Sequence, residues 1–145
     1  MRVRRLVLAE DYPIIRLWWE KRGTKAPEMA LLPEVGVIAF DETGPVSCAF
    51  LYEEKGGVIG FVEWEATNPA CGSAMKTIRG LNMVFDFFET YARDQGIKAL
   101  LSWVAEERGD GRLLERRKWT KCPGNRHALM SFSTHPEEET CQQSQ

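Results

Sequence analysis

The chain has 145 residues, 43% of them hydrophobic and 28% charged, with a formal net charge of −2. That is the length and composition of one globular domain with enough apolar material for its own core, so no disulfide or metal staple is required. Three negative charges sit together at Glu137-Glu138-Glu139, leaving the rest near neutral, which argues against the basic excess of a general nucleic-acid binder.

Val3–Ala9 reads as a short strand with mixed faces. A helix follows through Ile14-Ile15-Arg16-Leu17-Trp18-Trp19, with Asp11 placed to accept from its free N–H groups and Pro13 in the first turn. Gly23 is suited to close it. Trp18 and Trp19 are neighbours on that helix. Both are not expected to face fully inward, so one of them lines a groove or a homodimer contact. Thr24–Pro33 is a loop that carries Met29, Leu31 and Leu32. Such an apolar loop lies against something, either as a lid on the core or as a wall on the substrate side.

Val35–Phe40, Val46–Glu53 and Val58–Ala66 read as an antiparallel meander, with turns at Asp41-Glu42-Thr43-Gly44 and Glu54-Lys55-Gly56-Gly57. A long helix then shows one apolar stripe at Ala74, Ile78, Leu81, Phe85, Phe88 and Ala92, widened by Met75, Val84, Phe87 and Tyr91. Gly96 ends it. Ile97–Val104 is an apolar strand, parallel to Val58–Ala66 through a right-handed crossover. Glu106–Gly111 is a charged loop and Arg112–Lys118 a short helix. Trp119–Cys122 and His127–Phe132 are two last strands around Pro123-Gly124-Asn125. The domain is expected to span residues 1–133, with 134–145 a disordered tail.

The four cysteines, Cys48, Cys71, Cys122 and Cys141, form no C-x-x-C pair, and only two histidines are present. No metal site is expected. No apolar run approaches membrane-spanning length. MRVRRLVLAEDYP has too short an apolar segment for a signal peptide. A cytoplasmic protein with reduced thiols and no membrane partner is the expectation.

The order strand, helix, three-strand meander, helix, strand, helix, strand pair resembles the GCN5-related N-acetyltransferase superfamily over nearly the whole chain. Leu8-Ala9-Glu10-Asp11-Tyr12-Pro13 looks like its first strand-to-helix junction. Tyr91-Ala92-Arg93-Asp94-Gln95-Gly96 looks like the end of its cofactor helix, and Leu113-Leu114-Glu115-Arg116-Arg117-Lys118-Trp119 like its late helix-to-strand segment. Leu31-Leu32-Pro33-Glu34-Val35-Gly36-Val37-Ile38 and Thr67-Asn68-Pro69 are similar to small, divergent members often carried by bacteriophages.

The resemblance implies a single α/β domain with a mixed, mostly antiparallel sheet, a splayed parallel strand pair and flanking helices. It implies an acetyl group moved from acetyl-CoA, as co-substrate, to an amine of a small molecule or protein. A catalytically silent module of the same fold, binding a protein or assembling a particle, is the alternative. In the family, Arg or Gln and two glycines open the cofactor helix, letting backbone N–H groups close on the pyrophosphate. Counting back from Ala92 and Gly96 puts Lys76, Arg79 and Leu81 there. Lys76 and Arg79 then attract phosphate by charge or simply cap a solvated face, and Gly80 serves if the register slips by one. The backbone of Glu65, Ala66 and Thr67 is expected beside the pantetheine arm. Leu114 stands where many members have the tyrosine proposed to protonate the leaving thiolate.

A general base is also needed. Glu63 and Glu65 are two apart on one strand, so alternation puts them on one sheet face with Ile59 and Phe61. A carboxylate among apolar neighbours has a raised pKa, which suits a base. Glu65 is the expected base, or Glu63 through a water. Both as solvated edge residues is the plainer reading. The basic group Arg112, Arg116, Arg117, Lys118, Lys121 and Arg126 is interrupted by Asp110 and Glu115. It grips the 3′-phosphate end of coenzyme A or a nucleic acid, or forms a salt-bridged solvent face.

Overall fold

A computed structural model describes residues 1–105, 110–122 and 127–133 of the chain. Its strands are β1 Arg2–Arg5, β2 Val35–Asp41, β3 Gly44–Glu53, β4 Ile59–Thr67, β5 Ala99–Ala105, β6 Thr120–Cys122 and β7 His127–Ser133. They form a seven-stranded sheet in the order β1-β2-β3-β4-β5-β7-β6. Neighbours are antiparallel except β4 and β5. That pair is parallel and joined through a helix, as a parallel connection requires. The expected mixed sheet with one parallel pair is therefore present. Residues 106–109 of the expected Glu106–Gly111 loop, the expected turn at Pro123-Gly124-Asn125 and the tail at 134–145 lie outside the described residues, and the helix expected over Arg112–Lys118 runs instead from Asp110 to Arg116.

The helices are α1 Leu8–Lys21, α2 Ala74–Gln95 and α3 Asp110–Arg116. The two faces of the sheet carry different clusters. Val37, Ala49, Leu51, Val62 and Leu100 face α2 and α3, packing on Val84, Phe88 and Leu114. Ile38, Cys48, Phe50 and Ala66 face α1, packing on Ile15, Trp18 and Trp19.

Helix α1 starts earlier than its sequence suggests. The first strand stops at Arg5 and the helix begins at Leu8, which leaves Pro13 in the second turn. The reason is Asp11. Its Oδ2 accepts from the Val7 N–H at 2.8 Å, and both its oxygens take the Arg4 guanidinium at 2.8 Å. Burial alone would raise the Asp11 carboxyl, but Arg4 and the Val7 N–H outweigh it and hold it below the usual range. Trp18 and Trp19 also depart from expectation, since both are buried. Trp19 stands edge-on to Trp64 and tilted on Phe50. The 24–33 segment folds back over the helix, with Leu32 buried in the same cluster and Tyr12 Oη donating to the Pro27 carbonyl. No exposed tryptophan on α1 remains for a dimer contact.

Helix α2 occupies the predicted residues and ends at Gly96 in the left-handed conformation (φ 73°). Its stripe is buried only from Leu81 onward. Met75 is 76% exposed and Ile78 is also exposed, since in the first two turns Lys76, Thr77 and Gly80 make the contacts to the β2–β3 hairpin instead. Gly80 marks where the helix meets β3. A Cβ there would lie 2.7 Å from Ser47 Oγ and 3.1 Å from Val46 Cγ1. Ser47 Oγ is held by donating to the Thr77 carbonyl at 3.1 Å. Gly80→Ala gains about 1 kcal/mol of helix propensity, and the overlap costs about 1–3 kcal/mol. The expected net result is a lower urea midpoint at unchanged slope. A Ser47→Ala background should recover most of it, and equal losses in both backgrounds would show the overlap to be irrelevant.

Candidate functional site

The parallel ladder between β4 and β5 is short. Ile59, Gly60 and Phe61 pair with Ala99, Leu100 and Leu101, and pairing stops there. Two features of β4 end it. Trp64 has a positive φ of 59°, and the β3–β4 register shifts by one between Cys48 and Phe50. This is a bulge, which bends a strand and re-aims its side chains.

The bulge overturns the expectation that Glu63 and Glu65 share a face. Glu63 pairs with Phe50, on the α1 side. Its Oε1 accepts from the Trp103 N–H at 3.1 Å, so the carboxylate bridges the gap that the ladder leaves open. Glu65 accepts instead from the Ser102 hydroxyl at 3.1 Å. Ser102 is buried and alternates along β5 with Leu100 and Val104, on the α2 side. One carboxylate therefore stands on each face of the splay. Burial pushes the Glu63 carboxyl above its ordinary value, opposed in part by the Trp103 N–H. Among the described residues no cation pairs with Glu63. Beside it Trp103 is 52% exposed.

At the end of β4, between α2 and α3, lies a cleft of about 550 Å³. Thr67, Ser73 and Thr77 line it, together with Arg22, Arg112 and Arg116. Asn68 shapes the loop between β4 and α2. Its Oδ1 accepts from the Ala70 N–H at 2.9 Å and its Nδ2 donates to the Pro45 carbonyl at 2.9 Å. Gly72 then takes the left-handed conformation (φ 63°), and Ser73 Oγ caps α2 by accepting from the Lys76 N–H. The next N–H groups, of Ala74 and Met75, have no partner within the helix by position.

Ala66 and Thr67 are at the end of β4, and Thr67 lines the cleft. The structure does not bring Lys76, Arg79 and Gly80 there. Lys76 pairs with Asp41 at 2.7 Å, on the β2–β3 turn, and this partner holds the Asp41 carboxyl well below the usual range. Arg79 is exposed on a different face of α2, beside Met75 and Asn82. Gly80 is buried against Ser47. Counting back from Gly96 put the phosphate register at residues 76–81, inside a helix that already begins at Ala74. The Ser73 cap after Gly72 was the local signal for that start. Leu114 is buried in the core and has no access to the cleft. The basic group near α3 divides. Arg112 and Arg116 face the cleft, while Arg117 is tied to Glu89 and Asp86. Arg22 was missed, because nothing in its sequence neighbourhood marks it.

Among the described residues no His, Cys, Asp and Glu side chains group to hold a metal ion, and no helix is long and apolar enough to cross a membrane. Cys48, Cys71 and Cys122 are free thiols, and burial pushes Cys48 up. No family model and no curated protein sequence matches the chain. Solved structures do match. N-acetylglutamate synthase from Neisseria gonorrhoeae, solved with coenzyme A and N-acetyl-glutamate, is similar at 16% identity and a TM-score of 0.68. That match covers 93% of this chain and 35% of the synthase, so the chain spans about a third of that protein. Ard1 from Thermoplasma volcanium is similar at 11% identity and a TM-score of 0.72, over 93% of this chain and 98% of that one. The aminoglycoside 6′-N-acetyltransferase from Enterococcus faecium is similar at 12% identity and a TM-score of 0.72, over 94% and 98%. With the strand order, the single parallel pair and the splay, these likenesses establish that the chain has the fold of the GCN5-related N-acetyltransferases.

Proposed function

We propose that the protein is an N-acetyltransferase that moves an acetyl group from acetyl-CoA to an amine. One observation carries the reading. The strands β4 and β5 part after Phe61 and Leu101, with the Glu63 carboxylate on one face of the gap and the arginine-lined cleft on the other. A pantetheine arm entering from the cleft fits between the strands, where the ladder leaves backbone groups unpaired. Solved structures of similar fold were obtained with coenzyme A, among them the Neisseria gonorrhoeae synthase.

Acetyl-CoA supplies the acetyl group activated as a thioester. The chain's own residues do the rest. The end of β4, Ala66 and Thr67, lies along the arm, and the first turn of α2 with the cleft arginines holds the phosphates. Glu63 takes the proton from the acceptor nitrogen as that nitrogen bonds to the acetyl carbon. The thiolate leaves and is protonated by solvent, since Leu114 has no proton to give. Glu63 is preferred as base because burial raises its carboxyl, no cation pairs with it among the described residues, and it lies on the face away from the cleft. Glu65 and Ser102 sit on the cofactor side, where they orient the arm.

The test is calorimetric titration with acetyl-CoA, followed by a thiol-release assay over a panel of primary amines. Saturable binding with amine-dependent thiol release is expected. Absence of acetyl-CoA binding would sink the reading and favour a silent module of the same fold.

A further inference from the structure

We propose that Arg22, at the C-cap of α1, closes a three-arginine clamp with Arg112 and Arg116 of α3. The clamp selects coenzyme A, through its pyrophosphate and 3′-phosphate together, over an acyl carrier with a single phosphate. The proposal rests on the acyltransferase reading and concerns how that cofactor is recognised.

Arg22 comes from the opposite side of the sheet to α2 and α3, yet it lines their cleft. Its Nη2 donates to Thr67 Oγ1 and lies 3.5 Å from the Thr67 carbonyl. Both are neutral acceptors. Arg4, Arg16, Arg117 and Lys76 each pair with a carboxylate, whereas among the described residues Arg22, Arg112 and Arg116 pair with none. Three guanidinium groups that have no carboxylate partner among the described residues line one cavity. An anion held among them would offset their mutual repulsion, and their forked donors match phosphate oxygens.

The first turn of α2 supplies the complementary half. Ala74 and Met75 leave their N–H groups unpaired beside the cleft, where the helix dipole favours negative charge. That turn, Ala74-Met75-Lys76-Thr77, contains no glycine, so side chains restrict the backbone's approach to phosphate. Guanidinium groups reach further than backbone amides and tolerate the crowding. Side-chain charge from two flanking helices thus replaces the glycine-lined contact. Such a clamp responds to the number of phosphates, since each one removed takes away a partner.

The experiment is titration of the full chain with coenzyme A, dephospho-coenzyme A and 4′-phosphopantetheine at two salt concentrations. The proteins are wild type, Arg22→Ala, Arg22→Lys and Arg112→Ala/Arg116→Ala, with thermal melts as a check on folding. All three arginines are exposed, so the variants should melt like wild type. Wild-type affinity should fall in that ligand order. Arg22→Ala should weaken coenzyme A binding by about 10-fold, as loss of a charge-assisted hydrogen bond implies. It should also flatten the salt dependence and shrink the preference over 4′-phosphopantetheine, with Arg22→Lys in between. Undiminished coenzyme A affinity in the arginine variants of a working acetyltransferase would overturn the clamp alone. Equal wild-type affinity for the three ligands would do the same. A wild type that binds none of them, or only an oligonucleotide, overturns the clamp and the acyltransferase reading together.

Discussion

Glu63→Gln is expected to lower amine acetylation by roughly 10²–10⁴-fold, the usual cost of losing a general base. Acetyl-CoA affinity should stay within a factor of two or so of wild type, because the cleft is on the other face of the sheet. Glutamine keeps the side-chain oxygen that accepts from the Trp103 N–H, so the splay should hold its shape. The pH profile separates lost chemistry from lost structure. A base must be deprotonated to act, and burial raises the Glu63 carboxyl. Wild-type activity should therefore fall with decreasing pH at a value above the ordinary carboxylate range, and that limb should be absent in Glu63→Gln. Stability should move little or slightly upward at neutral pH. A raised carboxyl costs stability above its folded pKa, and glutamine removes that cost. Glu65→Gln should leave the limb in place and change acetyl-CoA affinity more than proton transfer. Loss of the limb in Glu65→Gln, with Glu63→Gln unaffected, would return the base to Glu65.

The reversal of these two glutamates shows how far the sequence could be read. Strand order followed from local signals: turns with glycine at Gly44 and Gly57, the apolar stripe of α2, and the stop at Gly96. Each is set within a few residues, which is the range that periodicity reads well. The faces of Glu63 and Glu65 depend on one residue, Trp64, in a left-handed conformation that its identity does not announce. Trp64 is held there by tertiary contacts: its ring meets Trp19 edge-on, and its Nε1 donates to Tyr52 Oη at 3.0 Å. Neither partner is near it in sequence, so strict alternation gave the wrong face. The phosphate side turns on distant contacts in the same way. Lys76 is open to two readings in the sequence, a phosphate ligand or a cap on a solvated face, and the β2–β3 turn places Asp41 beside it. Arg22 carries no mark in its own neighbourhood, and only the fold brings it to the end of β4.

Glu89→Ala should be among the most destabilising single substitutions, costing about 3 kcal/mol, the range for stripping one partner from a buried pair. That is a large share of the roughly 5–15 kcal/mol that hold a domain folded. Glu89 is only 9% exposed, on the flank of the apolar stripe of α2. Its Oε1 accepts from Arg117 Nε at 3.0 Å and from Trp119 Nε1 at 2.9 Å, and its Oε2 pairs with Arg117 Nη2 at 3.0 Å. Alanine would leave the Trp119 N–H without a partner in the core. It would also leave Arg117, whose side chain is 12% exposed, with only the Asn82 oxygens and Asp86. Asp86 is 67% exposed, so solvent screens that pair, and Asp86→Ala should cost no more than about 1 kcal/mol. Glu89→Gln keeps one acceptor and should fall between the two. The network ties the end of α3 and the start of β6 to the middle of α2. Its loss should therefore loosen α3 and weaken acetyl-CoA binding through Arg112 and Arg116, although Glu89 does not line the cleft. Denaturant melts and titrations of the same variants check both parts. A Glu89→Ala protein as stable as Asp86→Ala would show the network to be incidental. One that is destabilised yet binds acetyl-CoA as wild type does would show that α3 is held in place by its apolar contacts alone, with Leu114 at their centre.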